Sequence, residues 1–235
     1  MPTDLQGRVV VVSPHSDDGV LSLGGAMARW ARAGACVELL TVFALDPGSE
    51  APARGWDLRG GFRTEGEAAR ARREEDRRAC EALGAVPSWL PFGSVDYERH
   101  GDEQEVRDAV AARCEGAENV LLPGSPLSHP DHDWLVRVLL GSEPPARLGL
   151  YAEQPYTHRG VAEPGLPDWL EGTVGQRPFE TVALGLRDRL AKWRAIGQYT
   201  SQLPLLAMRR SLRRGPHTLA VAPEAVAWVG DRGAV

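Results

Sequence analysis

The chain has almost no lysine. Of its 27 basic residues only Lys192 is a lysine, a skew that we read as the codon bias of a GC-rich genome and not as a binding device. Cysteine is scarce too. Cys36, Cys80 and Cys114 are widely spaced and form no C-x-x-C pattern, which argues against a disulfide framework or a thiolate zinc site and predicts buried thiols in a reducing compartment. An excess of positive charge is also missing. With a formal net charge of -5, neither nucleic acid nor an anionic membrane surface is expected as the main partner. No apolar stretch approaches the ~18 residues of a membrane span, and Met1-Pro2-Thr3-Asp4 has no basic lead into an apolar core. The expectation is a cytoplasmic protein without a membrane segment. Internal repeats and low-complexity tracts are absent as well.

Present instead are ordinary globular proportions, 43% hydrophobic and 25% charged over 235 residues, enough for one large α/β domain spanning 1–235. Strands are expected over 8–13, 36–43, 88–92, 119–123 and 147–152, with another after 180. Helices are expected over 20–34, 64–84, 102–115, 132–141 and 186–198. Thr64-Glu65-Gly66-Glu67 reads as a capping box, and Gly84 as the C′ glycine of the same helix. Segments 44–63 and 153–178, rich in Gly and Pro, read as long loops, and 218–229 as an apolar tail. Repeated strand-helix alternation implies parallel pairing through right-handed crossovers, hence a Rossmann-like, mostly parallel sheet flanked by helices.

Two short segments carry the chemistry. Pro14-His15-Ser16-Asp17-Asp18 follows the apolar run Val9 to Val12, and His129-Pro130-Asp131-His132 follows Val120-Leu121-Leu122. Both fall in strand-to-helix loops, and in an open parallel sheet such loops share the carboxyl edge where ligands bind. His15 and Asp18, three apart at a helix start, come to one side and can share an ion. Either His129 or His132 can complete a three-ligand site. His132 is the better candidate, because it lies at or inside the helix while His129 precedes a proline in extended chain. Asp17 cannot point with its neighbour Asp18 and is free to act as general base. Asp131 is available to hydrogen-bond a histidine ring. Either pair alone could be a helix cap; together they point to metal-assisted hydrolysis of an amide, with a protonated His129 stabilising the oxyanion.

These two patches resemble the signature pair of the LmbE-like, PIG-L-type zinc-dependent N-acetylglucosaminyl deacetylases, Pro/Ala-His-x-Asp-Asp followed by His-x-Asp-His. The resemblance implies a Rossmann-like fold, Zn2+ (or Fe2+ or another divalent metal) on His15, Asp18 and His132, and catalysis by Asp17 and by His129 oriented by Asp131. It also places Arg72 of Arg72-Arg73-Glu74-Glu75 and Asp96 beside the substrate. Tyr151 to Tyr156 and Lys192 to Gln202 look familial; Tyr156 and His158 of the long loop are further candidates for substrate contact. Two departures stand out: Gly19 follows the Asp-Asp pair where many relatives have an acid, and Leu127-Ser128 stand where sugar-specific members often carry tyrosine. The implied substrate is a small N-acylated amino sugar, free or within a natural product such as a glycopeptide or aminoglycoside precursor. The alternatives are another amide, such as a thiol conjugate or a long-chain N-acyl group, and a metal-binding module without turnover. The sequence carries no signal of oligomeric state.

Overall fold

The computed structural model describes residues 4–97, 102–141, 146–157, 165–208 and 217–229. Its centre is one seven-stranded sheet in the order β3-β2-β1-β4-β5-β7-β6. The strands are β1 (Arg8–Ser13), β2 (Cys36–Thr41), β3 (Val86–Trp89), β4 (Asn119–Ser125), β5 (Arg147–Ala152), β6 (Glu180–Thr181) and β7 (Ala225–Val229). The first five pair in parallel, whereas β7 runs antiparallel to β5 and carries β6 on its outer edge.

Val9 to Val12 explain why β1 lies at the middle. All four are fully buried, and side chains alternate along a strand. Val9 and Val11 therefore enter the core on one face, and Val10 and Val12 the core on the other. A strand that buries both faces reads as a continuous apolar run, and each buried valine contributes roughly 1.5–3 kcal/mol. On the first face pack α1 (Asp18–Arg32), α3 (Glu65–Leu83), α7 (Leu186–Ile196) and α9 (His217–Val221). On the second pack α4 (Glu103–Cys114), α5 (Pro130–Leu139) and α6 (Asp168–Val174).

Helix ends follow local chemistry. The Thr64 hydroxyl accepts the Glu67 amide at 3.1 Å, while the Glu67 carboxylate reaches back to the Arg63 amide at 2.9 Å. Gly84 ends α3 at φ 73°, a conformation that glycine adopts without penalty. α5 starts at Pro130, two residues before its expected start, because proline fits the first helical position and His129 takes the cap.

Other expectations shift as well, and the apolar tail expected at 218–229 holds α9 and β7. The strand expected at 88–92 lies at Val86–Trp89, and the strand expected after 180 has only two residues. Segments expected as loops hold the short helix α2 (Gly55–Arg59) and α6, and α8 (Leu203–Met208) follows α7. Cys80 and Cys114 are buried, but Cys36 is exposed at the start of β2. Among the described residues no helix is long and apolar enough to cross a membrane.

The strand order 3-2-1-4-5 has its reversal between β1 and β4. α1 leaves β1 over one face and α5 leaves β4 over the other, so the two following loops diverge and open a crevice at their carboxyl ends. Both histidine-aspartate segments sit there.

Candidate active site

The turn after β1 is wired by its own side chains. Ser13 Oγ donates to the His15 carbonyl at 2.6 Å and accepts the Gly19 amide at 2.8 Å, and Asp18 Oδ2 accepts the His15 amide at 2.9 Å. Asp17 sits in this turn at φ 92°, a region that costs a non-glycine residue on the order of 1–3 kcal/mol. Its side chain makes no cap hydrogen bond to α1 and lines the crevice instead.

Three donor atoms meet at the crevice floor. His15 Nδ1 lies 3.2 Å from Asp18 Oδ2, His132 Nε2 lies 3.1 Å from the same oxygen, and the two ring nitrogens are 3.2 Å apart. An ion held tetrahedrally with donors at about 2.0–2.1 Å keeps those donors ~3.3 Å from one another. The triangle therefore fits a small divalent cation. The far side of each ring supports the same reading: His15 Nε2 meets Asp131 Oδ2 at 2.8 Å, and His132 Nδ1 meets the Glu153 carboxylate. A carboxylate on the second nitrogen fixes the tautomer and aims the first at a metal.

Nitrogen atoms of His15, His129 and His132 all lie within 4.8 Å of one another, so His129 is a neighbour of the triangle. Its Nδ1 accepts the Asp131 amide at 3.2 Å, which leaves the ring proton on Nε2. Asp131, expected to orient His129, is nearer His15: its Oδ2 is 3.7 Å from His129 Nδ1, and its Oδ1 accepts the Val95 amide at 3.0 Å.

Electrostatics separate the groups. Burial lowers the His132 pKa, but Asp18 and Glu153 outweigh it and the net shift is well upward. Burial likewise opposes the His15 cation, and hydrogen bonds from Asp131 and Asp18 overcome it. For His129, burial adds to repulsion from His15 and His132, and its pKa falls to about 4. The sequence reading made His129 a cation; in this setting it is a neutral imidazole at pH 7. Burial pushes the Asp17 carboxyl well up, Asp18 pushes further, and Arg72 opposes both.

The remaining candidates divide. Tyr156 stands edge-on to His132 with ring centroids 6.2 Å apart. Arg72 reaches the cleft, but its guanidinium pairs with Asp57 of α2, a residue that also receives the Tyr97 hydroxyl. Asp96 lines the cleft and accepts the Trp56 amide at 3.0 Å, holding the start of α2. His158 lies outside the described residues. Glu153 was missed as a functional residue; its signal was an acid immediately after the buried strand β5. The cleft volume is about 200 Å³, below the roughly 300–1,000 Å³ of sites that enclose drug-sized ligands.

A doubly wound sheet with a histidine-carboxylate cluster at its switch point defines a metal-dependent hydrolase class of site, though the fold alone does not name the reaction. Residues 10–140 match the PIG-L family, described as GlcNAc-PI de-N-acetylase. The chain belongs to this family of metal-dependent N-deacetylases. It is 32% identical over 251 residues to 2'-N-acetylparomamine deacetylase of Streptomyces fradiae, covering 96% of this chain and 82% of the relative. Among solved structures, the A40926 pseudoaglycone deacetylase Dbv21 superposes with TM-score 0.73 at 25% identity, over 97% of this chain and 98% of the other. The zinc-inhibited form of the teicoplanin deacetylase Orf2 shares the fold with TM-score 0.74 at 21% identity, over 96% of this chain and all of the other.

Proposed function

We propose that this protein removes an N-acetyl group from an amino sugar of a natural product, with a divalent cation, zinc or iron(II), held by His15, Asp18 and His132. The observation that carries the reading is the three-donor triangle with a carboxylate behind each ring. Bound there, the cation would supply positive charge that polarises the acyl carbonyl and acidifies water.

The chain's own groups do the rest. Asp17, free of helix capping, takes the proton of the attacking water at its carboxylate; its upward shift brings it closer to the proton affinity needed to return that proton to the leaving amine. His129 offers its Nε2–H to the developing oxyanion, since the Asp131 amide occupies Nδ1. Asp131 and Glu153 hold the two ligating rings.

Five aspartates and two arginines line the cleft, and one of those arginines is paired with Asp57. Asp18 would hold the cation and Asp131 holds His15, so what supports the sugar class is the relative named as 2'-N-acetylparomamine deacetylase. The small cleft suits acetyl over long acyl groups. In a test, metal-loaded protein is incubated with 2'-N-acetylparomamine and with an N-acylated glycopeptide pseudoaglycone, and acetate and free amine are measured. Acetate release from the first supports the reading, and no release from either rejects it.

A further inference from the structure

The carboxamide nitrogen of Gln202 has no hydrogen-bond partner among the described residues. The residue is 3% exposed and lines the cleft, and that nitrogen is itself buried. Leaving a buried donor unmade costs about 1–3 kcal/mol, and native structures rarely retain such a group without a reason.

The side chain is aimed by its neighbours. Glu75 accepts the Ser201 amide at 2.7 Å, the Ser201 hydroxyl at 2.8 Å and the Thr200 hydroxyl at 3.0 Å, and Asp76 accepts the Tyr199 hydroxyl at 3.0 Å. Two adjacent acids of α3 thus clamp the turn between α7 and α8. The main chain of Gln202 is also committed, its amide to the Tyr199 carbonyl and its carbonyl to the Leu206 amide at 3.0 Å. The side-chain Nε2 is the one donor of this residue left without a partner among the described residues, on a residue that lines the cleft. The same acid Asp76 receives the Ser16 hydroxyl at 3.1 Å, next to Asp17, so the Gln202 turn and the reacting end of β1 are tied to one anchor.

We infer that Gln202 is a substrate-binding residue that donates its Nε2–H to an uncharged oxygen, hydroxyl or carbonyl, of the acetamido sugar. The inference rests on the deacetylase reading and deepens it. Such a donor discriminates strongly against ligands without the matching oxygen, because they leave it buried and unpaired.

The test uses the full, zinc-loaded chain with 2'-N-acetylparomamine as substrate and, where it is not turned over, as the binding probe. Gln202→Met keeps the length of the side chain and removes the amide; Gln202→Glu keeps the shape and replaces the donor by an acceptor. In both, kcat/KM falls about tenfold, carried by KM, as expected for one lost hydrogen bond of ~1.4 kcal/mol, while metal content stays at the wild-type value and Gln202→Met, relieved of an unmade donor, melts no lower than wild type. An active wild type with both variants within twofold in kcat/KM overturns the inference and leaves the deacetylase reading standing. Near wild-type affinity in Gln202→Glu alone overturns the donor role. A wild type with no turnover rejects that reading instead; calorimetry with the intact 2'-N-acetylparomamine then decides on Gln202, through a tenfold weaker Kd in Gln202→Met or an unchanged or absent binding that overturns it.

Discussion

Glu153→Gln isolates the contribution of the carboxylate behind His132. Glu153 is 2% exposed and serves two donors, His132 Nδ1 and the Leu127 amide at 2.7 Å. A carboxylate accepts on both oxygens, whereas a carboxamide accepts on one and donates on the other. Whichever way the glutamine turns, its NH2 faces one of those two donors in a dry site, at a cost of about 1–3 kcal/mol. If the amide oxygen stays with Leu127, the His132 ring loses its anchor, and loss of such an outer partner lowers metal affinity about 10–100-fold. We expect the variant to fold, to melt lower, and to bind zinc at least tenfold more weakly in competition with a chromophoric chelator. Zinc affinity within twofold of wild type would refute the reasoning, because His132 would then need no partner to present Nε2 to the cation.

Three further outcomes follow from the same geometry. Asp17→Asn should keep its metal, since Asp17 is outside the donor triangle, and lose about 10²–10⁴-fold in turnover; acetate release measured beside metal content checks this, and retained turnover removes the general-base role. In metal-free protein the folded pKa values of His15 and His132 lie above the unfolded one of ~6.5. Their contribution to stability is therefore complete below that pH and lost as pH rises through the raised values, while metal, competing with the same protons, binds better. Melting curves with zinc or with chelator should diverge as pH rises from about 6.5; a gap that narrows contradicts the assignment. Lys192 and Glu224 form a fully buried pair at 2.7 Å, and Glu224 also accepts the Gly25 and Ala26 amides of α1. Lys192→Met strands that charge and should cost about 3–5 kcal/mol in denaturant unfolding, a loss under 1 kcal/mol being inconsistent with the burial.

What could be read from the sequence was what local pattern determines. The Val9–Val12 run specified a strand buried on both faces, and a strand-to-helix loop after each of β1 and β4 placed the two motifs on one edge. The helices α2 and α6 were not legible. Gly55, Gly60 and nearby prolines punctuate the first, and what holds it is non-local: Asp96 on the Trp56 amide and Arg72 on Asp57. Arg72 and Asp96, expected to face substrate, line the cleft and also hold α2 through these contacts. β3 was displaced by two residues because it is an edge strand that tolerates Pro87. The choice of Asp131 for His15 over His129 depends on how β4 registers with β1, and the service of Glu153 to His132 on how it registers with β5. The PIG-L resemblance named the family from the two motifs alone, and the match over residues 10–140 agrees.

Because the sole lysine is sealed inside the fold, the surface offers amine-directed reagents no ε-ammonium group. A fluorogenic label for primary amines would therefore report the liberated sugar amine against little background from the catalyst, even at high protein concentration. The same burial removes lysine side chains as coupling sites on activated-ester supports and leaves Cys36 and surface carboxylates as the side-chain attachment points.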